Sequence, residues 1–507
     1  MIIKTTRVHV VLGLGGVALL ASPPLSAQAA PPRELSVPTV VERVLEADPS
    51  IINSRRDLEE AQVDYQITLS GTRPSVTLDL TPYQWDQRRV TVPGGQNPSA
   101  SERVRTHSVG AGVSVQQPLP TSGTISAGIT NEMRFIVGTE DRIDQVPEAT
   151  VSFQQPLFAG GRIISDEVYR ATVRTARIGV ERQALNNTLV VNGNIQRALN
   201  LLVQVGSLRR SRNVLEETIR VLQEQLESAE LDRQQGLISD NSLLSLQVTL
   251  NNRREALFDT ELSLVQAEQD LARILGLPNL EDTELAEDLF RGSGLRGADG
   301  VGDGGNSENP ELNLQRLAVE QTIRSGLLNN LEDRPNASVS VRVAPRYPDS
   351  RSDPQALGGS VSDLFDEDAD VEATVALGLT IPLFTARERS YRERIDTLAQ
   401  HRAETDLADT ERAVANEMER LRTNRSFLQR RVEILETDVE YERQRVENER
   451  SLLESGSTTE LRVDEVELDL LSRRNELWQV EAELYLNSVA ILAAAGEDLA
   501  TVLSDDQ

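Results

Sequence analysis

The chain has 507 residues, which allows several domains, but it contains no cysteine, only three histidines and only 3% aromatic residues. This composition argues against thiol chemistry, metal sites built from cysteine and histidine, and a lipid anchor on an N-terminal cysteine. The 80 acidic residues outnumber the 52 basic ones, and the formal charge of −28 argues against nucleic-acid binding, which needs clustered Lys and Arg. The acidity fits either a solvated surface or the negative wall of a conduit.

The first residues indicate export. Lys4 and Arg7 precede an apolar run from Val8 to Leu20, and the small residues near Ala29 suit a signal peptidase. A retained anchor is disfavoured because the run is too short to span ~30 Å of hydrocarbon as a helix. No later stretch is as long and apolar as a transmembrane helix. A mature chain that enters a membrane is therefore expected to do so as strands closed into a barrel.

Two landmarks repeat along the chain. Asp48-Pro49 and Arg73-Pro74 bound one amphipathic segment, and Asn-Pro at 309–310 and Arg-Pro at 334–335 bound another. Both landmarks are displaced by 261 residues, from 48 to 309 and from 74 to 335. The common offset indicates an internal duplication.

Alternating apolar and polar residues, which predict strands, follow each repeat of the landmarks. The first apolar positions are Val76, Leu78, Leu80, Val339, Val341 and Val343, and the further alternating runs cover 109–115, 125–135, 151–153 and 371–381. The segment 118–123 is either the turn of a hairpin or an irregular loop. The alternation fits a sheet between lipid and water, but also an ordinary half-buried sheet. The aromatic residues near the strand ends, as at a membrane interface, are Tyr83, Trp85, Phe158, Tyr347 and Phe384.

A long helical hairpin is predicted after the strands of each half. Apolar residues recur every seven positions from Leu201 and from Leu428, a spacing typical of coiled coils. Each long helix should end at a glycine, Gly236 or Gly456, before a shorter helix returns. The first long helix would span roughly 110 Å and its return about half of that. Short helices near 39–72 and 310–333 are expected to stack on the returning helices and complete their length.

The order and spacing of these motifs resemble the TolC-like outer-membrane efflux family, the outer membrane factors. The shared motifs are the duplicated halves, Pro-Leu-Phe at 156–158 and 382–384, Gly-Gly-Arg at 160–162 and the Gly-Leu-x-Ser helix tip. The resemblance covers nearly all of the mature chain. It implies a mixed α and β fold: a trimeric transmembrane β-barrel continued by a long periplasmic α-helical coiled-coil tunnel, with two structural repeats per chain. Family members usually contribute four strands per protomer, whereas this chain has six alternating runs.

The same resemblance implies a function in the outer membrane of a Gram-negative bacterium, with a large periplasmic part. The chain would be the exit duct of a tripartite efflux or type I secretion system. The implied partners are a homotrimer, a periplasmic adaptor (membrane fusion) protein, an inner-membrane pump and outer-membrane lipid, without a cofactor. No nucleophile, base and orienting group are apparent, so an enzyme is not expected. The alternative is a periplasmic coiled-coil adaptor or scaffold protein without a pore.

The resemblance places adaptor docking at the two helix tips. The matching positions are Gly236, Leu237, Ser239, Gly456, Ser457 and Thr458. The family tends to carry acidic rings beyond the second tip, where this chain has Arg462, Asp464 and Glu465, the predicted periplasmic mouth. Carboxylates that face the axis of a trimer would repel one another and attract cations. The alternative is that one or both face outward as ordinary coiled-coil residues.

Together these elements divide the chain into five predicted segments. They are a signal peptide (1–29), a first repeat (30–290) with its tip near 236, a Gly-rich equatorial linker (291–308), a second repeat (309–495) with its tip near 456, and a C-terminal tail (496–507). The linker lacks the Gly-Lys-Ser/Thr sequence of a phosphate loop. The acidic segment 363–370 is either a solvated external loop or a site for a divalent cation.

Overall fold

The computed structural model describes residues 34–91, 101–137, 142–159, 162–163, 167–280, 283–286, 290, 309–329, 336–346, 370–381 and 386–504. Several predicted features lie outside these residues. They are the signal peptide 1–29, the glycine pair 160–161, the linker 291–308, Tyr347, the acidic positions 363–369 and the second Pro-Leu-Phe at 382–384. The side chain of Phe158 is also outside the description.

Two long helices, each followed by a shorter one, make up most of the helical structure. The helices are α1 (Val37–Ala47), α2 (Pro49–Ser70), α3 (Glu167–Gln234), α4 (Asp240–Leu275), α5 (Pro310–Asn329), α6 (Ala386–Glu454), α7 (Glu460–Ala495) and α8 (Leu499–Ser504). The long helices α3 and α6 have 68 and 69 residues, and α4 and α7 have 36 each. The predicted pairing of a long helix with a return of about half its length is confirmed. None of the described helices combines the length and apolarity needed to cross a membrane.

The first predicted short helix is two helices rather than one. Asp48 has an extended backbone and ends α1, because a residue before proline is sterically restricted from the helical region. The expected stacking of a short helix on a returning helix is present for α5 and α7. The Nδ2 of Asn309, which precedes α5, donates to the carbonyl of Ala494 at the end of α7 at 2.7 Å. Within the helical unit, the ends of α1 and α4 lie close together, since a Cβ on Gly276, which follows α4, would lie 2.8 Å from that of Ala47.

The chain divides into two compact units. The helical unit comprises Met1–Asp48, Arg197–Gly292 and Leu435–Gln479, and the sheet unit comprises Pro49–Gln196, Ser293–Ile434 and Val480–Gln507. One core cluster of the helical unit consists of Val446, Val466 and Leu470 with Val439 packed against it. One core cluster of the sheet unit consists of Met418, Leu421, Ile491 and Ala495. Val439 and Val446 lie seven residues apart, which is the spacing that predicts coiled-coil packing.

The sheet unit contains six long strands in one antiparallel sheet. They are β2 (Ser75–Thr91), β3 (Ser101–Pro118), β4 (Thr124–Val137), β5 (Arg142–Ala159), β8 (Asn336–Arg346) and β9 (Asp370–Thr380), in the spatial order β2-β3-β4-β5-β8-β9. The two-residue β6 (Arg162–Ile163) pairs with the end of β5. In the helical unit β1 (Glu34–Leu35) pairs in parallel with β7 (Glu284–Leu285). All six predicted runs are strands, and β5 pairs with β8 to join the two halves.

The segment 118–123 is a tight hairpin turn, which resolves the alternative that it forms an irregular loop. The backbone N–H of Leu119 donates to the carbonyl of Gly123 at 2.8 Å, and that of Ser122 donates back to Leu119 at 3.0 Å. Ser122 adopts a φ of 59° to close the turn. Strands β3 and β4 therefore form a second hairpin within the first half of the chain.

Candidate functional site

The two long helices end in the same kind of turn. Gly236 and Gly456 have φ values of 75° and 73°. The N–H of Leu237 donates to Asp232 O at 2.9 Å, and that of Ser457 donates to Leu452 O at 2.8 Å. A Cβ at either glycine would meet nothing within 4 Å. Glycine is therefore favoured here by the left-handed backbone and not by lack of space.

Hydroxyl caps start both returning helices. The Oγ of Ser239 accepts from the N–H of Ser242 at 3.2 Å, and the Oγ1 of Thr459 accepts from the N–H of Arg462 at 3.4 Å. The predicted tip residues of the first hairpin thus share the turn 235–239, and those of the second share the turn 455–459. Thr458 lies one position before the capping threonine, so its side chain is not the cap.

The first tip has an apolar outer surface that sequence reasoning missed. Leu237 is 68% exposed, and three apolar residues on the adjoining turns are also more than half exposed. We call this group the tip patch: Leu231, Leu237, Leu244 and Val248. Leu244 and Val248 lie off the seven-residue stripe through Leu243 and Leu250, and this displacement was the available sequence signal. Exposed apolar side chains around a rigid turn are typical of a protein-binding surface.

The second tip differs in chemistry from the first. Counting from the two glycines, the positions that match the tip patch are Ser451, Ser457, Asp464 and Leu468. The second hairpin therefore has mainly polar residues at these positions, although Leu452 beside its turn is 44% exposed. The two tips of one chain offer two chemically distinct surfaces.

The predicted mouth residues are all engaged within the chain. Arg462 Nη1 lies 2.8 Å from Glu465 Oε2, and Gln225 Nε2 on α3 donates to the Oε1 of the same carboxylate at 2.8 Å. Arg220 Nη1, also on α3, lies 3.3 Å from Asp464 Oδ2. The side chain of Asp464 is only 16% exposed. The structure thus brings the predicted carboxylates against the first hairpin.

Arginine partners dominate the electrostatics near these carboxylates. Arg220 also contacts Glu217 at 2.5 Å and Glu224 at 2.6 Å. Hydrogen bonds to Glu217 and then to Asp464 raise the pKa of Arg220 above its usual value. The pKa of Arg462 is raised chiefly by its hydrogen bond to Glu465. Both guanidinium groups stay charged and offset part of the negative charge of the predicted mouth.

One face of the six-stranded sheet is apolar across its whole width. A single row of paired residues runs from Val76 through Val115, Ala127, Val151 and Val343 to Ala373. Many apolar side chains on this face are between 38% and 73% exposed, whereas Phe153 and the valines of β8 are half-buried. The exposed side chains include Val76, Leu78, Leu80, Val113, Ile129, Val151, Val375, Leu377 and Leu379. An apolar face of this size left open is unusual for a water-soluble monomer.

The opposite face of the sheet is polar and hydrogen-bonded. Ser126 and Ser152 on adjacent strands share a hydrogen bond of 2.6 Å. Arg342 on β8 pairs with Glu148 on β5 at 2.9 Å. One face of the sheet is therefore apolar and the other polar, which is the pattern expected when one side contacts lipid and the other contacts water.

Exposed apolar residues also follow two helices. On α6, Phe427, Ile434 and Tyr441 recur every seven residues, and each is more than 60% exposed. On α4 the exposed positions are Phe258, Leu262 and Val265. Residues at such spacing lie along one helix face and favour packing against another helix. Within the described part of the chain, His, Asp and Glu form no cluster of three or more that could hold a metal ion.

Comparisons with known proteins agree with this geometry. Residues 336–497, less than half of the chain, match the family model described as outer membrane efflux protein. A search of curated proteins gives no match. The fold is similar to that of the outer membrane protein VceC from Vibrio cholerae, at 14% identity and a TM-score of 0.58, over 91% of this chain and 96% of that one.

Two further solved structures show the same fold. The outer-membrane channel OprN is 15% identical with a TM-score of 0.59, over 94% of this chain and 96% of its own. The CmeC outer membrane channel of Campylobacter jejuni is 10% identical with a TM-score of 0.58, over 91% of this chain and 85% of its own. The resemblance predicted from the sequence is confirmed by the family match and by this shared fold.

Proposed function

We propose that this chain, whose residues 336–497 match the outer membrane efflux protein family, is an outer-membrane channel and the exit duct of a tripartite efflux or type I secretion system. The observation that carries the proposal is the sheet with one exposed apolar face and one polar face. In a closed barrel the apolar face meets lipid and the polar face lines water. The chain acts as a conduit and not as an enzyme.

The channel is proposed to be a homotrimer. Helix stripes that stay exposed in one copy are the surfaces expected to pack between copies. The stripe of Phe427, Ile434 and Tyr441 on α6 is suited to such coiled-coil packing because its spacing is seven residues. The stripe on α4 offers a second apolar surface for the neighbouring copy. The helices would then continue the barrel as a periplasmic tunnel, with the two repeats 30–290 and 309–495 in each chain.

Adaptor docking is proposed at the tips, with the inner-membrane pump beyond the adaptor. The tip patch, centred on Leu237, supplies exposed apolar side chains next to a rigid turn, and exposed apolar surface of this kind marks sites of protein–protein contact. The turn of Gly456, Ser457 and Thr458 supplies a polar surface. Arg462, Asp464 and Glu465 remain the proposed periplasmic mouth, where paired charges would set which ions pass.

The faces of β8 provide a direct test of the central proposal. Val341 lies on the apolar face and its neighbour Ser340 on the polar face. Because the chain has no cysteine, Val341→Cys and Ser340→Cys each carry one thiol. In reconstituted protein, a water-soluble maleimide should label Ser340→Cys, and Val341→Cys should be protected by lipid. Equal labelling of both thiols in folded protein would contradict the channel orientation.

The alternative of a periplasmic adaptor or scaffold without a pore is not favoured. Such a protein would be expected to cover the apolar sheet face in water, because exposed apolar patches of this extent promote association. It would also have no need for two hairpins of equal length. Protection of Val341→Cys that persists without lipid or detergent would support this alternative.

A further inference from the structure

The hairpin β3–β4 is anchored in the sheet at its turn. On one side, Gln117 Nε2 donates to the backbone carbonyl of Thr72, just before β2 begins. On the other side, Gln155 Nε2 on β5 donates to Thr121 O at 2.9 Å, and Thr121 Oγ1 donates back to Gln155 Oε1 at 2.8 Å. The turn is therefore held level with the points where the helices join the sheet.

Close packing also shows that the hairpin belongs to the sheet. A Cβ on Gly112 of β3 would lie 2.7 Å from Thr130 Cγ2 on β4, and a Cβ on Gly123 would overlap the side chain of Gln155. Glycine at these two positions allows the strands and the turn to approach closely. Paired residues continue without interruption along β3–β4 and β4–β5. The hairpin is therefore an integral part of the six-stranded sheet and not a loop that packs against its surface.

The two outer strands of the sheet are suited to pair with each other in different copies. The spatial order begins with β2 and ends with β9. Since the sheet has six antiparallel strands, β2 and β9 run in opposite directions, as antiparallel pairing between copies requires. Both strands place apolar residues on the same face, among them Leu78 and Leu377. A long exposed apolar edge strand promotes aggregation unless it is paired or protected.

We infer that three copies close one sheet of eighteen strands, six from each copy, by pairing β9 of one copy with β2 of the next. The inference rests on the proposed trimeric channel and specifies its membrane part. Each edge strand of the sheet therefore pairs with an edge strand of a neighbouring copy of this chain. The hairpin β3–β4 supplies six of the eighteen strands and widens the ring.

The width of the ring follows from sheet geometry. With strands about 4.8 Å apart and tilted by about 40°, eighteen strands give a backbone diameter of about 36 Å, and twelve give about 24 Å. Inward side chains narrow either bore, but rings of 16–18 strands keep a wide aqueous channel. The membrane crossing would then admit bulky solutes such as oligosaccharides or extended polypeptides. Selection by size would lie elsewhere along the duct.

Cysteine pairs test the joint between copies. Leu78→Cys is combined in turn with Val375→Cys, Leu377→Cys and Leu379→Cys, because the register between copies is not fixed by one chain. Oxidation of one of these pairs should yield covalent trimers. Asp79→Cys, which faces the other side of β2, is the matched control and should not crosslink with the same partners. Trimers that conduct ions but crosslink with none of the three β9 positions would overturn the inference and leave the proposed function intact.

Deletion of Ser101 to Val137 tests the predicted width of the eighteen-strand ring. The deletion removes β3 and β4, and it joins β2 to β5 at the end of the sheet where Thr91 and Arg142 both lie. Val76 and Val151 already lie in one row, so their apolar faces would match after the deletion. Projection images of the purified trimers should show a membrane ring about two-thirds as wide in the variant.

An unchanged ring width in the deletion variant would overturn the inference. If the deletion variant does not assemble, the ring diameter of the full-length trimer still tests the inference. A diameter near 24 Å would contradict six strands per copy, and one near 36 Å would support them. Failure of the full chain to form trimers or to conduct would instead contradict the proposed function.

Discussion

Arg220 of α3 and Asp464 of α7 lie 3.3 Å apart, although 244 residues separate them. Their contact and the hydrogen bond from Gln225 to Glu465 connect the two helical hairpins within the helical unit. The predicted mouth carboxylates are therefore held in defined positions by groups of the first hairpin. The arginine also lowers the net negative charge at this place.

Removing Arg220 should strengthen cation binding at the mouth. In Arg220→Met, Asp464 loses its cationic partner, and an unscreened charge at this distance is worth about 1 kcal/mol in water, or roughly fivefold in affinity. A trivalent cation applied from the periplasmic side should then block current at a lower concentration. The double variant Asp464→Asn/Glu465→Gln should require a higher concentration.

Arg212→Met is the matched control for this experiment. Arg212 pairs with Glu216 on its own helix at 3.5 Å, so its loss should leave the block nearly unchanged. Equal block in the wild type, Arg220→Met and the double variant would remove Asp464 and Glu465 from the conduction path.

Gly206 of α3 is predicted to be intolerant of alanine. A Cβ at this position would overlap the ring of Trp478, which Phe290 also contacts with ring centroids 5.6 Å apart. Gly206→Ala should destabilise the helical unit by about 1–3 kcal/mol, the usual cost of overpacking. A Cβ at Gly179 of the same helix would meet nothing within 4 Å, so Gly179→Ala should stabilise the folded protein by about 0.5–1 kcal/mol. Thermal unfolding measures both, and a neutral Gly206→Ala would contradict the packing.

Gly236 should tolerate asparagine better than alanine. Its φ of 75° is the left-handed conformation, which costs an alanine roughly 1 kcal/mol and which asparagine accepts more readily. Gly236→Ala should therefore reduce adaptor crosslinking through Leu237→Cys, while Gly236→Asn retains it. Loss of crosslinking in both variants would point to a contact made by the glycine itself.

Glu320 should stabilise the sheet unit in a pH-dependent way. Its two oxygens accept from Arg174 at 2.9 and 2.8 Å, and these bonds, with a further one from Arg324, lower its pKa to about 2 from 4.5. A depressed carboxyl pKa gives stability that is complete above about pH 4.5 and is lost as the pH falls towards 2. At pH 6, Glu320→Gln should have a lower melting temperature than the wild type. Its free energy of unfolding should be smaller by up to about 1 kcal/mol.

The pH course provides the check on Glu320. The difference in melting temperature between wild type and Glu320→Gln should narrow steadily from pH 4.5 to pH 2. Glu311→Gln, an exposed carboxylate on the same helix, is the control and should show a small difference throughout. A gap for Glu320→Gln that stays constant to pH 2 would show that the ion pair contributes nothing to stability.

Local features of the fold were predictable because they depend on residues close in sequence. The two tips follow from Gly236 and Gly456, since left-handed helix exits favour glycine whatever the surroundings. The strands follow from alternation with a period of two. Alternation does not specify partners, however, so the structure was needed to choose between a hairpin turn and an irregular loop at 118–123. It was also needed to identify the neighbours of each strand.

The candidate site was predictable only in part, because its contacts join distant segments. Asp464 and Glu465 were predicted through the family resemblance, which places acidic residues beyond the second tip. Arg220 and Gln225 were not, since 244 and 240 residues separate them from their partners and no periodic pattern marks them. The same limit applies to Leu244, whose exposure depends on which helix face packs inward.

Ion conduction by the purified mature chain in planar bilayers tests the central claim most directly. The account predicts trimers that produce stable conductance steps, with a reversal potential in a salt gradient that favours cations, because acidic residues outnumber basic ones by 80 to 52 in the full sequence. Folded protein that remains monomeric and produces no conductance at any voltage or salt concentration would contradict it.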